Sequence, residues 1–299
     1  MSDDFAGGLC SVSALDPGRV WAAPRAEHPM PKPPSSFLLP RHVFASPMVE
    51  ALCQTAPRLL LCLDYDGTLV PIAPRPEKAR PTPTLCTLLA QLARTPSVEV
   101  AVVSGRPLTD LCSLLPVPGL TYVGTHGLEI RTATGEVHSL MSAGAFTMVM
   151  ARLRHDLEVM ISGRSGLLLE DKRHALALHY RLAGQEDGEH AVGQFVAAVR
   201  AYQRRGLAVE VLHGKKVVEV RPIGVNKGKA VQSLLGHRDN TVLPLYLGDD
   251  VTDEDAFRVL SSHGVRILVA DPPRRTAAQY YLKDSAEVSS FLFRLLSLR

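Results

Sequence analysis

Five short runs constrain this chain more than any other feature: RLLLCL (58–63), VEVAVVSG (98–105), LTYVG (120–124), VLPLYLG (242–248) and VRILVA (265–270). They are apolar on successive residues, not alternate ones, so a strand built from them needs cover on both faces. The stretches between them have helical length and spacing, as in TLCTLLAQLAR (84–94), 227–236, the segment from Asp253, and 286–296. Buried strands alternating with helices predict a doubly wound, Rossmann-like α/β fold with a parallel sheet. Such a sheet gathers its ligand-binding residues at the carboxyl ends of its strands.

The middle of the chain breaks this rhythm. Residues 142–161 carry Phe146, Val149, Met150, Leu153, Leu157 and Met160 at helical spacing, followed by two strand-like runs, GLLLEDK and HALALHYR. A second amphipathic helix presents Val192, Phe195, Val196 and Val199, and LAVEVLHG and KKVVEVRP form another strand pair. Two α-β-β units joined by hairpins predict an antiparallel sheet with helices on one side. The expected organisation is an N-terminal arm over 1–45, a core over 46–128 and 223–299, and an inserted α+β domain over 129–222. The arm reads as irregular because HPMPKPPSSFLLP is too rich in proline for a helix or a central strand.

Charged residues at the strand ends raise the question of chemistry. Asp64 and Asp66 follow the first apolar run, and side chains two apart on an extended chain point the same way. Gly67 permits a sharp exit from the strand, and Thr68 offers a hydroxyl and an N–H to an anion. A solvated strand-end turn accounts equally well for that stretch taken alone. GDDVTDEDAF (248–257) follows another buried strand. Asp253, Glu254 and Asp255 could be helix N-terminal acids, but that does not account for Asp249 and Asp250 at the strand end itself. Carboxylates crowded at one sheet edge repel unless a cation lies among them. Oxygen ligands without a His/Cys cluster favour Mg²⁺. Lys227 opens a helix, where an ammonium and free backbone N–H groups lie together, and Ser104 and Arg106 lie just past a strand end. Read singly, Lys227 is also explained as a surface lysine and Ser104 as an N-cap.

In this order, DYDGT (64–68), SGR (104–106), NKGK (226–229) and GDDVTDED (248–255) resemble the four motifs of haloacid-dehalogenase-superfamily phosphatases. The resemblance implies Asp64 as a phosphorus-attacking nucleophile and Asp66 as the acid and then base. It implies Mg²⁺ held by Asp64, the Asp66 carbonyl and Asp249, with Ser104 and Lys227 on the phosphoryl oxygens. Asp250 and Asp253 would ligate metal-bound waters or orient Lys227. A phosphomutase keeps the same two aspartates and stays open as an alternative.

The insert falls where one class of this superfamily carries an α/β cap that reads the leaving group. Its strands hold Glu170 and Lys172 on one face, His179 and Arg181 likewise, and then Glu219 and Arg221. THGLEI adds His126, Gly127 and Glu129 at the junction with the core. A sheet with an ordinary wet face would look similar, but sugar hydroxyls need both donors and acceptors, which this set supplies. With HGLE, E-x-K, HYR and E-x-RP-x-G-x-NKG, the chain from about residue 57 onward resembles the trehalose-6-phosphate phosphatases. The resemblance implies a small-molecule sugar phosphate as substrate, with Lys172 and Glu219 towards the distal glucose and His126 and Glu129 nearer the mouth. A phosphatase for another disaccharide or glycosyl-polyol phosphate, and a non-catalytic sugar-phosphate sensor, are the rival readings. A trehalose-6-phosphate synthase is the candidate protein partner, and the sequence does not decide whether it binds.

Composition excludes other classes. A net charge of +3 without a dense Lys/Arg block argues against nucleic acid, and no apolar stretch approaches a membrane span. Five cysteines without a CxxC pair, and an N-terminus that starts acidic with no signal-peptide order, point to a cytoplasmic protein with reduced thiols.

Overall fold

The doubled apolar character of the strands is used in two layers. In β2 (Arg58–Leu63), Leu59, Leu61 and Leu63 enter one core, and Leu60 and Cys62 the opposite one. β3 (Val98–Val103) divides in the same way, with Val98, Val100 and Val102 against Ala101 and Val103. The computed structural model describes residues 38–139, 145–172, 174–236 and 241–299. The arm as far as residue 37, the first residues of the helix predicted over 142–161 and the Phe146 side chain lie outside the description.

In chain order the larger layer contains β1 (Arg41–His42), α1 (Pro47–Thr55), β2, α2 (Pro83–Arg94), β3, α3 (Leu108–Leu114) and β4 (Thr121–Gly124), then β5 (Glu129–Arg131) and β6 (Val137–Ser139). The smaller unit follows as α4 (Ala145–Ile161), β7 (Leu168–Asp171), β8 (Leu176–His179), α5 (Gln185–Arg204), β9 (Val209–Gly214) and β10 (Val217–Pro222). The chain returns with α6 (Lys227–Leu235), β11 (Val242–Gly248), α7 (Glu254–Val259), β12 (Val265–Val269), β13 (Tyr280–Leu282) and α8 (Ser285–Ser297). The large sheet runs β1-β13-β12-β11-β2-β3-β4-β5-β6, parallel from β1 through β4 and antiparallel at β5 and β6. Helices α1, α2, α3 and α8 cover one face, and α6 and α7 the other.

The smaller sheet, β7-β8-β10-β9, is antiparallel throughout. Its apolar face, including Leu176, Leu178, Val218 and Val220, packs on Met150, Leu153 and Leu157 of α4 and on Phe195 and Val199 of α5. Each of these fully buried side chains contributes on the order of 1.5–3 kcal/mol. The other face stays polar and turns to the core.

At 129–139, β5 and β6 extend the large sheet, and the smaller sheet begins at β7. The arm does not stay irregular to residue 45: Arg41 and His42 pair in parallel with Tyr280 and Tyr281 of β13. His42 Nε2 lies 2.9 Å from Glu287 Oε2, and the Arg294 guanidinium stacks on Phe44, which fastens this edge strand to α8.

Candidate active site

β2 and β11 are adjacent and parallel, so their carboxyl ends deliver Asp64 and Asp249 to one point. Asp64 N–H donates to the Leu247 carbonyl at 2.9 Å, continuing the ladder one step beyond the strand. The chain must then turn away at once. Gly67 does so at φ +85°, and a Cβ there would overlap the Asp249 carboxylate. A Cβ at Gly248 would likewise overlap Asp253. Both glycines are required because carboxylates occupy the space beside them.

Carboxylate oxygens of Asp64, Asp249 and Asp253 lie within 4.8 Å of one another, all buried. Lys227, the first residue of α6, places Nζ 2.6 Å from Asp64 Oδ1 and 2.7 Å from Asp253 Oδ1. The Asn226 side chain caps this helix by accepting from Lys229 N–H. Tyr246, on β11, donates its buried hydroxyl to Asp253 Oδ1 at 2.7 Å, and Asp250 N–H donates to Asp253 Oδ2 at 2.8 Å.

Burial pushes the Asp64 carboxyl well above its ordinary range, reinforced by Asp253 and Asp249 and opposed by Lys227. Asp249 is pushed up to about 6 by burial and by Asp253, against Lys215. For Lys227 burial acts against the ammonium, but Asp253 and Asp64 outweigh it and raise its pKa. Three buried carboxylates facing one buried ammonium hold more negative charge than the site neutralises. Their hard oxygens and surplus charge fit a divalent cation such as Mg²⁺.

Asp66 lines the same cavity as Asp64. Its carboxylate is turned to Arg106, which donates from Nε and Nη2 at 2.7 Å each and from Nη2 to the Pro76 carbonyl at 2.8 Å. Arg106, predicted as a substrate contact, is thus engaged by Asp66. Asp250 lines the cavity, but its carboxylate is outside the three-acid cluster, where Asp253 stands instead. Ser104 is buried at the cavity wall, and its Oγ accepts from Arg106 N–H. Thr68 is fully buried with no hydrogen-bond partner for its hydroxyl.

The polar face of the small sheet forms the opposite wall. Glu170, Lys172, His179, Arg181 and Glu219 line the same cavity, as does His126 from the core. Lys172 Nζ lies 2.6 Å from Glu219 Oε2, His126 Nε2 3.0 Å from Glu219 Oε1, and His179 Nε2 2.7 Å from Glu170 Oε2. His126 is held at φ +58°, and Gly127 after it packs so closely that a Cβ would lie 2.9 Å from Ala230 Cβ. Glu129 sits on β5, and neither it nor Gly127 or Thr68 is among the lining residues. Lys215 at the β9–β10 turn, with Nζ 2.6 Å from Asp249 Oδ2, lines the cavity although the sequence reading passed over it, as did Tyr246. The HGKK turn was a visible signal for Lys215, whereas nothing local marked Tyr246 in its apolar strand.

Burial opposes the Glu219 charge, but Lys172 and His126 overcome it and hold its carboxyl well below the usual range. A depressed carboxylate pKa stabilises the fold above the ordinary value of 4.5, and that contribution is lost as pH falls below it. The melting temperature of Glu219→Gln should therefore lie below that of the parent at pH 7. The gap should narrow towards pH 3. A gap independent of pH would contradict the ion-pair account.

A parallel α/β sheet with a buried aspartate at the end of its central strand, a buried lysine beside it and a second aspartate on the next strand defines the haloacid-dehalogenase-like class. The family model for trehalose-phosphatases matches residues 62–286, and the chain belongs to that family. It is 38% identical over 252 residues to a trehalose-phosphate phosphatase of Mycobacterium marinum, covering 81% of this chain and 63% of that protein. The chain thus spans less than two thirds of the length of that relative. A probable trehalose-phosphate phosphatase 3 of Oryza sativa is 32% identical over 317 residues, covering 98% of this chain and 83% of that protein. Among solved structures, the C-terminal domain of a C. albicans trehalose-6-phosphate phosphatase superposes with a TM-score of 0.78 at 25% identity, covering 89% of this chain and all of that one. No helix among the described residues is long and apolar enough to cross a membrane.

Proposed function

We propose that the chain hydrolyses trehalose 6-phosphate to trehalose and inorganic phosphate through an aspartyl-phosphate. The observation that carries this reading is the placement of Asp64. It is buried, bonded to Lys227 at 2.6 Å and set at the floor of a cavity whose far wall is Glu170, Lys172, His179 and Glu219. Core groups suited to phosphorus thus face insert groups suited to hydroxyls.

In the first step an Asp64 oxygen attacks phosphorus, the bond from phosphorus to the sugar oxygen breaks, and Asp66 gives that oxygen its proton. In the second, water attacks the same phosphorus, Asp66 takes the water proton, and Asp64 leaves as a free carboxylate. Lys227 and Ser104 hold phosphoryl oxygens. Mg²⁺ held by Asp64, Asp249 and the Asp66 carbonyl would offset the repulsion between a carboxylate and a phosphate dianion. Asp66 must exchange Arg106 for the leaving oxygen before it can act. The insert walls the cavity opposite the core, so its opening would admit a disaccharide phosphate and its closure would keep stray water from the aspartyl-phosphate. Nothing among the described residues supports a synthase partner.

The test is phosphate release from a panel of trehalose, sucrose and mannosylglycerate phosphates, with Mg²⁺ and with EDTA. Trehalose 6-phosphate should be preferred, and EDTA should remove turnover. Equal turnover of the other esters would defeat the substrate assignment, undiminished turnover in EDTA the cation, and an isomeric phosphate in place of free phosphate the hydrolysis.

A further inference from the structure

The β9–β10 hairpin ends in a two-residue turn, Lys215-Lys216, aimed at the core. Lys216 adopts φ +65° and leans over the Tyr180 ring, while Lys215 extends to Asp249. The Lys215 carbonyl is held by Arg181 Nη2 at 2.7 Å, and the tip comes so near that a Cβ on Gly214 would lie 3.3 Å from Asp250 Oδ2. The Asp249 side chain is 5% exposed and that of Lys215 50%. Lys227 is already engaged by Asp64 and Asp253, so Lys215 answers the charge that Asp249 brings to the cluster.

Asp249 is also one of the carboxylates that fit the cation. A divalent ion sits at about 2.0–2.1 Å from a carboxylate oxygen, and an ammonium on the same carboxylate would lie within a few ångströms of it. Charges of +2 and +1 that close repel, and the repulsion weakens the hold of the shared carboxylate on the ammonium. The ammonium and the ion cannot both be held at full strength.

We propose that Lys215 is a built-in counter-charge for Asp249 that the divalent cation displaces, so that cation binding frees the hairpin tip and loosens the inserted unit over the cavity. This rests on the cation reading given above and adds to it the residue that opposes the ion. Lys215 acts as a positioning residue. It offsets one charge of the cluster while no cation is bound, and it couples the ion to the position of the wall that faces the sugar. The coupling is reciprocal: whatever holds the tip against Asp249 weakens the cation, and the cation weakens the tip by the same factor.

The test uses the full chain without substrate, with Mg²⁺ binding measured by titration calorimetry. Lys215→Met should bind Mg²⁺ about fivefold more tightly than the parent, the factor a half-exposed charge pair supplies. Lys216→Met, which alters the neighbouring ammonium only, should bind as the parent does. Hydrogen exchange on the unaltered chain gives a second readout: Mg²⁺ should speed exchange of the 213–216 amides. In Lys215→Met these amides should exchange fast with or without the ion. Equal or weaker Mg²⁺ binding by Lys215→Met, or hairpin exchange that Mg²⁺ leaves unchanged, overturns the proposal. Failure of the parent itself to bind Mg²⁺ overturns the cation reading and this proposal together, whereas binding by the parent with no response at Lys215 overturns this proposal alone.

Discussion

Asp64→Asn is expected to lower phosphate release from trehalose 6-phosphate by at least about 10⁴-fold, because the proposed mechanism uses the Asp64 carboxylate as its nucleophile. The same change should leave the fold intact or firmer. Burial, with Asp253 and Asp249, raises the Asp64 pKa in the folded chain, so its ionised form is disfavoured there relative to the unfolded chain. For a raised carboxylate, stability falls as pH rises from the unfolded pKa towards the folded one. A neutral amide of the same shape removes that penalty while leaving Lys227 its bond to Asp253. The melting temperature in EDTA at pH 7 should equal or exceed that of the parent. Turnover that survives the substitution would refute the nucleophile assignment, and a large drop in melting temperature would refute the electrostatic account.

Lys227→Met should do the reverse and damage stability as well as activity. It strips the buried ammonium from between Asp64 and Asp253 and leaves their charges facing each other and Asp249. Breaking a buried pair in this way costs about 3–5 kcal/mol. In a chain of this size that lowers the melting temperature by about 10 °C. Because the Lys227 pKa is raised in the fold, its stabilising effect is complete below the ordinary value of 10.5, so the loss is undiminished at pH 7. Mg²⁺ should restore part of the lost stability, since a dication supplies the missing charge. Lys229→Met, exposed two positions beyond on the same helix, should melt as the parent does. An unaltered melting temperature for Lys227→Met would show that the ammonium is not the counter-charge of the cluster.

These expectations separate what is local from what is not. The five apolar runs were legible as strands because each carries its own cover requirement: Leu59, Leu61 and Leu63 need one layer of helices, Leu60 and Cys62 the other. β1 and β13 were missed because a two-residue and a three-residue strand have no periodicity of their own. β1 is held by partners 245 positions away in the chain, as His42 with Glu287 illustrates. The residues of β5 and β6 have no long apolar run of their own, and hydrogen bonding of β5 to β4 carries the large sheet on through them. In the site, Asp64, Ser104, Lys227 and Asp249 could be found because each terminates or opens an element. Tyr246 could not, because a tyrosine inside an apolar strand looks like core until its hydroxyl is seen to meet Asp253.

The order of strands and helices, the aspartates at the ends of β2 and β11 and the lysine opening α6 are properties of the sequence by itself, since strand length and helix capping are set by neighbouring residues. The partners of those charges are not. Asp66 is bonded to Arg106, Asp253 stands with Asp64 and Asp249 in the cluster, and Lys215 reaches Asp249 from a different sheet. The first two pairings depend on which strands lie side by side in the large sheet, and the third on how the two sheets face one another. Burial and Coulomb energy act across that gap whatever the spacing along the chain, so only the tertiary structure decides them.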